Sequence, residues 1–177
     1  MEHILRMDDP RNITEFIDFL ASLTEPQWQT KVNADWTVKD VIAHLIGWAY
    51  EAAGVLPAVW ETGEEPWFCK TSDYDEFNDG NVRKYKGLSS KETLAEYIRS
   101  EEIVKREIDR IGESRLRAEP DKYGWLFDEG PNGHWISHFR QIKKALGGEL
   151  QGTPAVAFRN PPTRLVSDRS DTSDWSD

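Results

Sequence analysis

The chain of 177 residues carries 22 Lys and Arg against 32 Asp and Glu, a formal net charge of −10. That length suits one domain, burying about two-thirds of its unfolded surface without a disulfide staple. The acidity argues against nucleic acid or an anionic membrane as partner, because both reward clustered cations, and the single cysteine, Cys69, excludes an intramolecular disulfide or a multi-cysteine metal knuckle.

Residues 1–9 mix charge with apolar side chains and lack a signal peptide's apolar stretch and cleavage site, so a reducing cytoplasm is the expected compartment. A first helix is predicted over Ile13 to Leu23, where Ile13, Phe16, Ile17, Leu20 and Leu23 recur at helical spacing. Asp9-Pro10 and Asn12 offer start signals, and Glu25-Pro26 is expected to stop it. The second helix starts after Trp36, where Thr37 and Asp40 resemble a capping box with Asp in place of Glu. Its stripe of Val38, Val41, Ile42, Leu45, Ala49, Ala52 and Ala53 predicts an end near Gly54 or Pro57. The Val41 to Trp60 stretch is apolar, but His44 and Glu51 near its middle argue for a core helix and not a membrane span.

A long connection follows, from Pro57 to Ser90, with a short helix predicted across Tyr74 to Tyr85. The third long helix runs from Ser90 to Ile111, turning Leu94, Tyr97, Ile98, Val104 and Ile108 inward, and Gly112 closes it. Its Arg99, Lys105, Arg106 and Arg110 alternate with acids and read as a solvated face. A polar loop then leads to Pro131-Asn132-Gly133, and a fourth helix spans His134 to Leu146, ending at Gly147-Gly148. The expected fold is all-α: a four-helix bundle over residues 1–150, with one long crossover connection between helices 2 and 3. Residues 151–177, rich in Pro, Ser and Asp, read as a mobile polar tail.

The chain holds four histidines: His3, His44, His134 and His138. Residues four apart on a helix point about 40° apart, so His134 and His138 share one face of the fourth helix, on the flank of its apolar stripe. His44 takes a similar flanking position on the second helix. This spacing admits two readings: ligands of one ion in a bundle, or histidines satisfied within the core or at the surface. Around them, Glu51 is a candidate base, orienting group or fourth ligand, and Gln141 lies beside His138. Trp48 and Trp135 are candidate pocket residues, while each of these four also fits a plain core or solvated position. Cys69 has no activating neighbour at a recognisable spacing. A Gly-rich phosphate loop, a His-Glu-x-x-His pair and a Gly-x-Ser-x-Gly elbow are all absent from the sequence.

The run Trp36-Thr37-Val38-Lys39-Asp40-Val41-Ile42-Ala43-His44-Leu45-Ile46-Gly47-Trp48 resembles the second-helix signature of the DinB/YfiT-like superfamily, and His134-x-x-x-His138 followed by Gln141-Ile142 resembles its fourth-helix pattern. The resemblance covers about residues 10–147. It implies a divalent ion (zinc, nickel, iron or manganese) held by His44, His134 and His138, and a small-molecule substrate. A low-molecular-weight thiol as cosubstrate, thiol transfer or hydrolytic detoxification as chemistry, and a homodimer are implied with it. Ala43 to Trp48, Phe77-Asn78, Tyr85 to Ser89 and Ser137 to Arg140 are similar to the ClbS/DfsB branch. That branch adds Asn78 to the pocket and suggests a non-catalytic binding or sequestering protein as the alternative. Gly133 sets His134 in the first helical turn, a departure that bears on its strength as a ligand.

Overall fold

The Asp9 carboxylate fixes the start of the first helix, one oxygen accepting hydrogen bonds from the Thr14 backbone N–H (2.8 Å) and hydroxyl (2.7 Å). The computed structural model describes residues 9–127 and 133–147. Within these residues the chain is all-helical and has no strand; an isolated antiparallel bridge joins Lys31 and Thr37. The four predicted helices are present as α1 (Thr14–Ala21), α3 (Val38–Thr62), α5 (Ser90–Ile111) and α8 (His134–Ala145). Between them lie α2 (Glu25–Trp28), α4 (Asp75–Tyr85), α6 (Glu113–Arg117), α7 (Pro120–Phe127) and a 3-10 turn at Trp67–Cys69.

Several boundaries follow the capping chemistry of the sequence. The Asp40 carboxylate accepts from the Thr37 backbone N–H at 2.8 Å, and Thr37 Oγ accepts from the Asp40 N–H at 3.2 Å, completing the box that starts α3. Ser89 and Glu92 start α5 in the same way, and α4 falls within one residue of its predicted span. Three expectations need correction. Glu25-Pro26 does not merely end the first helix: Thr24 and Gln27 form a capping box, proline is tolerated in a first turn, and α2 results. The second helix passes through Pro57 to Thr62, because Leu56 and Val59 are buried beyond any break the ring would impose, and Gly63 caps it at φ 74°. The polar loop after Gly112 holds α6 and α7, whose Leu116, Tyr123, Leu126 and Phe127 are buried. The predicted Pro131-Asn132 turn, Gly148 and the tail from residue 151 lie outside the described residues.

α3 packs most extensively on α5 and next on α4. One core gathers Phe16, Ile17 and Leu20 of α1, the first half of α3, Tyr97 of α5, and Trp135, Phe139 and Ile142 of α8. A second joins the far half of α3 to Val104, Ile108 and Ile111 of α5 and to α7. By length and hydropathy α3 could cross a membrane, yet 61% of that stretch is buried inside the protein, as befits a core helix. The α5 face has two surprises. Lys105 is nearly covered and pairs with Asp109 at 2.6 Å, and Glu101, 3% exposed, pairs with Arg11 at 2.6 Å.

The α3–α4 pair positions the site. Lys39 at the start of α3 donates to the carbonyls of Lys86 (3.0 Å) and Leu88 (2.9 Å), while Trp48 further along reaches Asn78 near the start of α4. The two helices therefore run antiparallel. They approach closely at Gly47, where an added Cβ would lie 2.0 Å from Cγ of Asn81.

Candidate metal centre

His44, His134 and His138 converge. Their candidate ligand nitrogens all lie within 4.8 Å of one another, although His44 and His134 are 90 positions apart in the chain. The ring centroids are 4.8 Å (His44–His134), 5.1 Å (His44–His138) and 4.9 Å (His134–His138) apart. His44 and His138 are buried, and His134 is half-buried. Helix spacing explains the α8 pair, and packing of α8 against the first half of α3 brings it to His44.

His44 Nε2 lies 2.8 Å from His134 Nε2, a hydrogen-bonded pair in which one ring donates and the other accepts. Nitrogens on a tetrahedral ion at about 2.0–2.1 Å would stand roughly 3.3 Å apart. Accepting an ion thus asks this pair to part by about half an ångström and the widest pair to close, which side-chain rotation can supply. His138 Nδ1 lies 3.0 Å from Gln141 Oε1 and donates to it, the tautomer that places the lone pair on Nε2. Such an outer partner fixes both the tautomer and the ring orientation of a metal-ligating histidine. His44 Nδ1 is buried and makes no hydrogen bond of good geometry; the Asn78 side chain is near enough to the ring to oppose, weakly, the lowering of its pKa.

The protonation states suit ligation. Burial holds the His44 pKa well below its ordinary 6.5, and the neighbouring His134 and His138 push it the same way. Burial lowers His134 to about 4, with the Arg11 guanidinium adding to the effect. Both rings are neutral at pH 7, the form that binds a cation. A neutral, all-nitrogen set of three imidazoles fits a divalent borderline ion such as zinc, nickel, iron or manganese.

Around the histidines the surface is aromatic. Trp36 lies 4.9 Å from His44 between ring centroids, and Trp48 stands edge-on to His134 at 6.0 Å. Trp48 Nε1 donates to Asn78 Oδ1 at 3.0 Å, so the expected pocket residues Trp48 and Asn78 are held together. Gln141 is at the cluster through His138. Two other candidates lie elsewhere: Trp135 stacks on Phe16 in the core, ring centroids 6.0 Å apart, and Glu51 accepts from Trp67 Nε1 at 2.6 Å. Cys69 is exposed. Sequence reasoning missed Arg11, whose charge acts on His134 and which pairs with Glu101.

Residues 11–124 match the family model of the mycothiol maleylpyruvate isomerase N-terminal domain, a DinB/YfiT-like domain. The chain belongs to that family. The matched span takes in His44 and the α3–α5 framework and ends before α8, which carries His134 and His138. No curated protein and no solved structure matches the chain.

Proposed function

We propose that this member of the family is a divalent-metal-dependent enzyme acting on a small molecule, by thiol transfer or hydrolytic detoxification. The observation that carries the reading is the convergence of three imidazoles, two of them held neutral by burial, from helices whose histidines stand 90 or more positions apart in the chain. The family's description, which names mycothiol and an isomerase, supports a thiol cosubstrate.

His44, His134 and His138 would hold the ion, which when bound supplies a Lewis acid with an open position for the reacting group. The protein's own groups do the rest. Gln141 keeps His138 in one tautomer by accepting from Nδ1. Arg11, paired with Glu101, helps keep His134 deprotonated. Trp36 and Trp48 cover two sides of the histidines and keep water out.

Elemental analysis tests the assignment. Protein incubated with zinc, nickel or manganese and then desalted should retain about one ion per chain, falling at least tenfold in His44→Ala and His138→Ala. Retention below about 0.1 ion per chain in the parent protein refutes it. A second reading, a ligand-sequestering protein without chemistry, draws on Gly133: it caps α8 without a side chain, leaving His134 as the first helical residue. On that reading His138→Ala leaves small-molecule affinity unchanged, and a tenfold loss of affinity refutes it.

A further inference from the structure

Among the described residues, Trp67 is the one large hydrophobic side chain left exposed, at 38%. It sits on the 3-10 turn after α3, and it is not loose. Its ring stacks on Trp48 at 6.1 Å with 21° between planes and meets Phe77 at 5.3 Å. Its Nε1 donates to Glu51 at 2.6 Å. Trp48, beneath it, is fixed by its own N–H bond to Asn78 and stands edge-on to His134. Rings thus run without interruption from solvent through Trp67 and Trp48 to the histidine cluster. Each indole is oriented by a hydrogen bond to a different helix residue, Glu51 on α3 and Asn78 on α4. Core packing accounts for Trp48, 9% exposed beside Phe68 and Tyr74, but not for the open part of Trp67 or for the carboxylate that fixes the direction of its N–H.

We propose that Trp67 and Trp48 form a preset aromatic wall that selects substrates bearing a planar, unsaturated group beside the atom that reacts at the histidines, and that Glu51 is the positioning residue that sets the angle of Trp67. The proposal rests on the metal-site reading for what happens at the histidines and adds the chemical class of substrate. A planar π-system gains offset-stacked or edge-on contacts that a saturated ring of equal size does not. Prior fixing of both indoles removes the ordering cost of making those contacts.

The test uses two thiols of nearly equal size and both protonated at pH 7, benzyl mercaptan and cyclohexylmethanethiol, titrated into the full chain labelled with 5-fluorotryptophan. Trp67→Phe and Trp48→Phe assign the two fluorine signals. Benzyl mercaptan should move both signals with a half-saturation at least about fivefold lower than its saturated counterpart. Trp67→Leu should abolish that preference. Glu51→Gln, which retains an acceptor for the indole N–H, should keep it, while Glu51→Leu should lose it and broaden the Trp67 signal. Equal half-saturation for the two thiols, signals at Trp48 and Trp67 that do not move, or an unchanged preference in Glu51→Leu overturns the proposal. Cobalt(II) uptake on the same samples reports on the histidines by itself: no uptake with the aromatic preference retained overturns the metal reading and leaves the wall standing.

Discussion

Lowering the pH should destabilise the metal-free protein through His134 in particular. Its pKa falls from an ordinary 6.5 to about 4 on folding, through burial and the Arg11 charge. Above pH 6.5 the ring is neutral in both folded and unfolded chains, and its contribution is fully present. As the pH falls below 6.5 the unfolded chain takes up a proton that the folded one refuses. Stability is lost progressively until the pH passes through about 4, where the folded ring protonates as well. The shift of about 2.5 units corresponds to roughly 3 kcal/mol over the whole window, with about 1 kcal/mol already gone at pH 5.5. That is a sizeable share of the 5–15 kcal/mol that typically separates folded from unfolded chains. His44, lowered in the same direction by burial, adds to the loss. Urea unfolding in EDTA at pH 7 and pH 4.5, on the parent and His134→Gln, isolates the His134 part together with its push on His44, since carboxylate titration is common to both. The parent should lose about 2 to 3 kcal/mol more than the variant between these pH values. Losses that agree within about 0.5 kcal/mol refute the reasoning, because His134 would then titrate as it does in water.

Further expectations rest on separate contacts. Gln141→Leu removes the acceptor from His138 Nδ1 and should weaken zinc binding about 10- to 100-fold in chelator competition, with Gln141→Glu close to the parent. Gly47→Ala places a methyl 2.0 Å from Asn81 Cγ, where α3 and α4 meet, and should cost about 1–3 kcal/mol in denaturant unfolding. The double variant Gly47→Ala/Asn81→Ala should recover most of that, a coupling that a double-mutant cycle measures directly. Arg11→Met removes the guanidinium 2.6 Å from Glu101, which is 3% exposed, and should cost about 3–5 kcal/mol, whereas Arg11→Met/Glu101→Leu should unfold closer to the parent midpoint than the single variant. Zinc binding near pH 7.5, followed calorimetrically in buffers of different ionisation enthalpy, should release no proton from His44 or His134, because both rings are already neutral.

What could be read in the sequence was whatever depends on neighbours along one helix. The Thr37–Asp40 box, the α5 span from Ser90 to Gly112 and the shared face of His134 and His138 are local patterns, and the structure has each of them. The chain also hid what long-range packing decides. Pro57 looks like a stop because the ring deletes one hydrogen bond; burial of Leu56 and Val59 against α5 and α7 carries α3 past it. Lys105 looks solvated by its alternation with acids, yet its stem is covered and its ammonium reaches Asp109. The Arg11–Glu101 pair spans 90 positions and leaves no local trace. Glu51, seven residues after His44, falls on the same edge of α3 by helical spacing, yet a tryptophan 16 residues later donates to its carboxylate.

The energetics of the cluster explain why packing alone is a poor account of it. Three imidazoles side by side gain nothing from proximity if any two are charged, and burial already opposes charging His44. With all three neutral, one Nε2–Nε2 bond and the Gln141 contact satisfy part of the set, and His44 Nδ1 stays buried and unpaired. A buried donor or acceptor in that state costs about 1–3 kcal/mol, so leucine at position 44 would give a more stable helix–helix contact. A cation between the rings changes the sign of the balance: it takes the place of the proton shared by His44 and His134, the lone pairs become ligands, and low dielectric strengthens each bond. The same burial that raises the cost of protonating His44 and His134 therefore removes the proton as a competitor for the site. A substitution that opens the cluster to water, such as Trp36→Ala beside His44, should accordingly move zinc affinity and its pH dependence together. Loss of affinity with an unchanged pH profile would show that the tryptophan only packs.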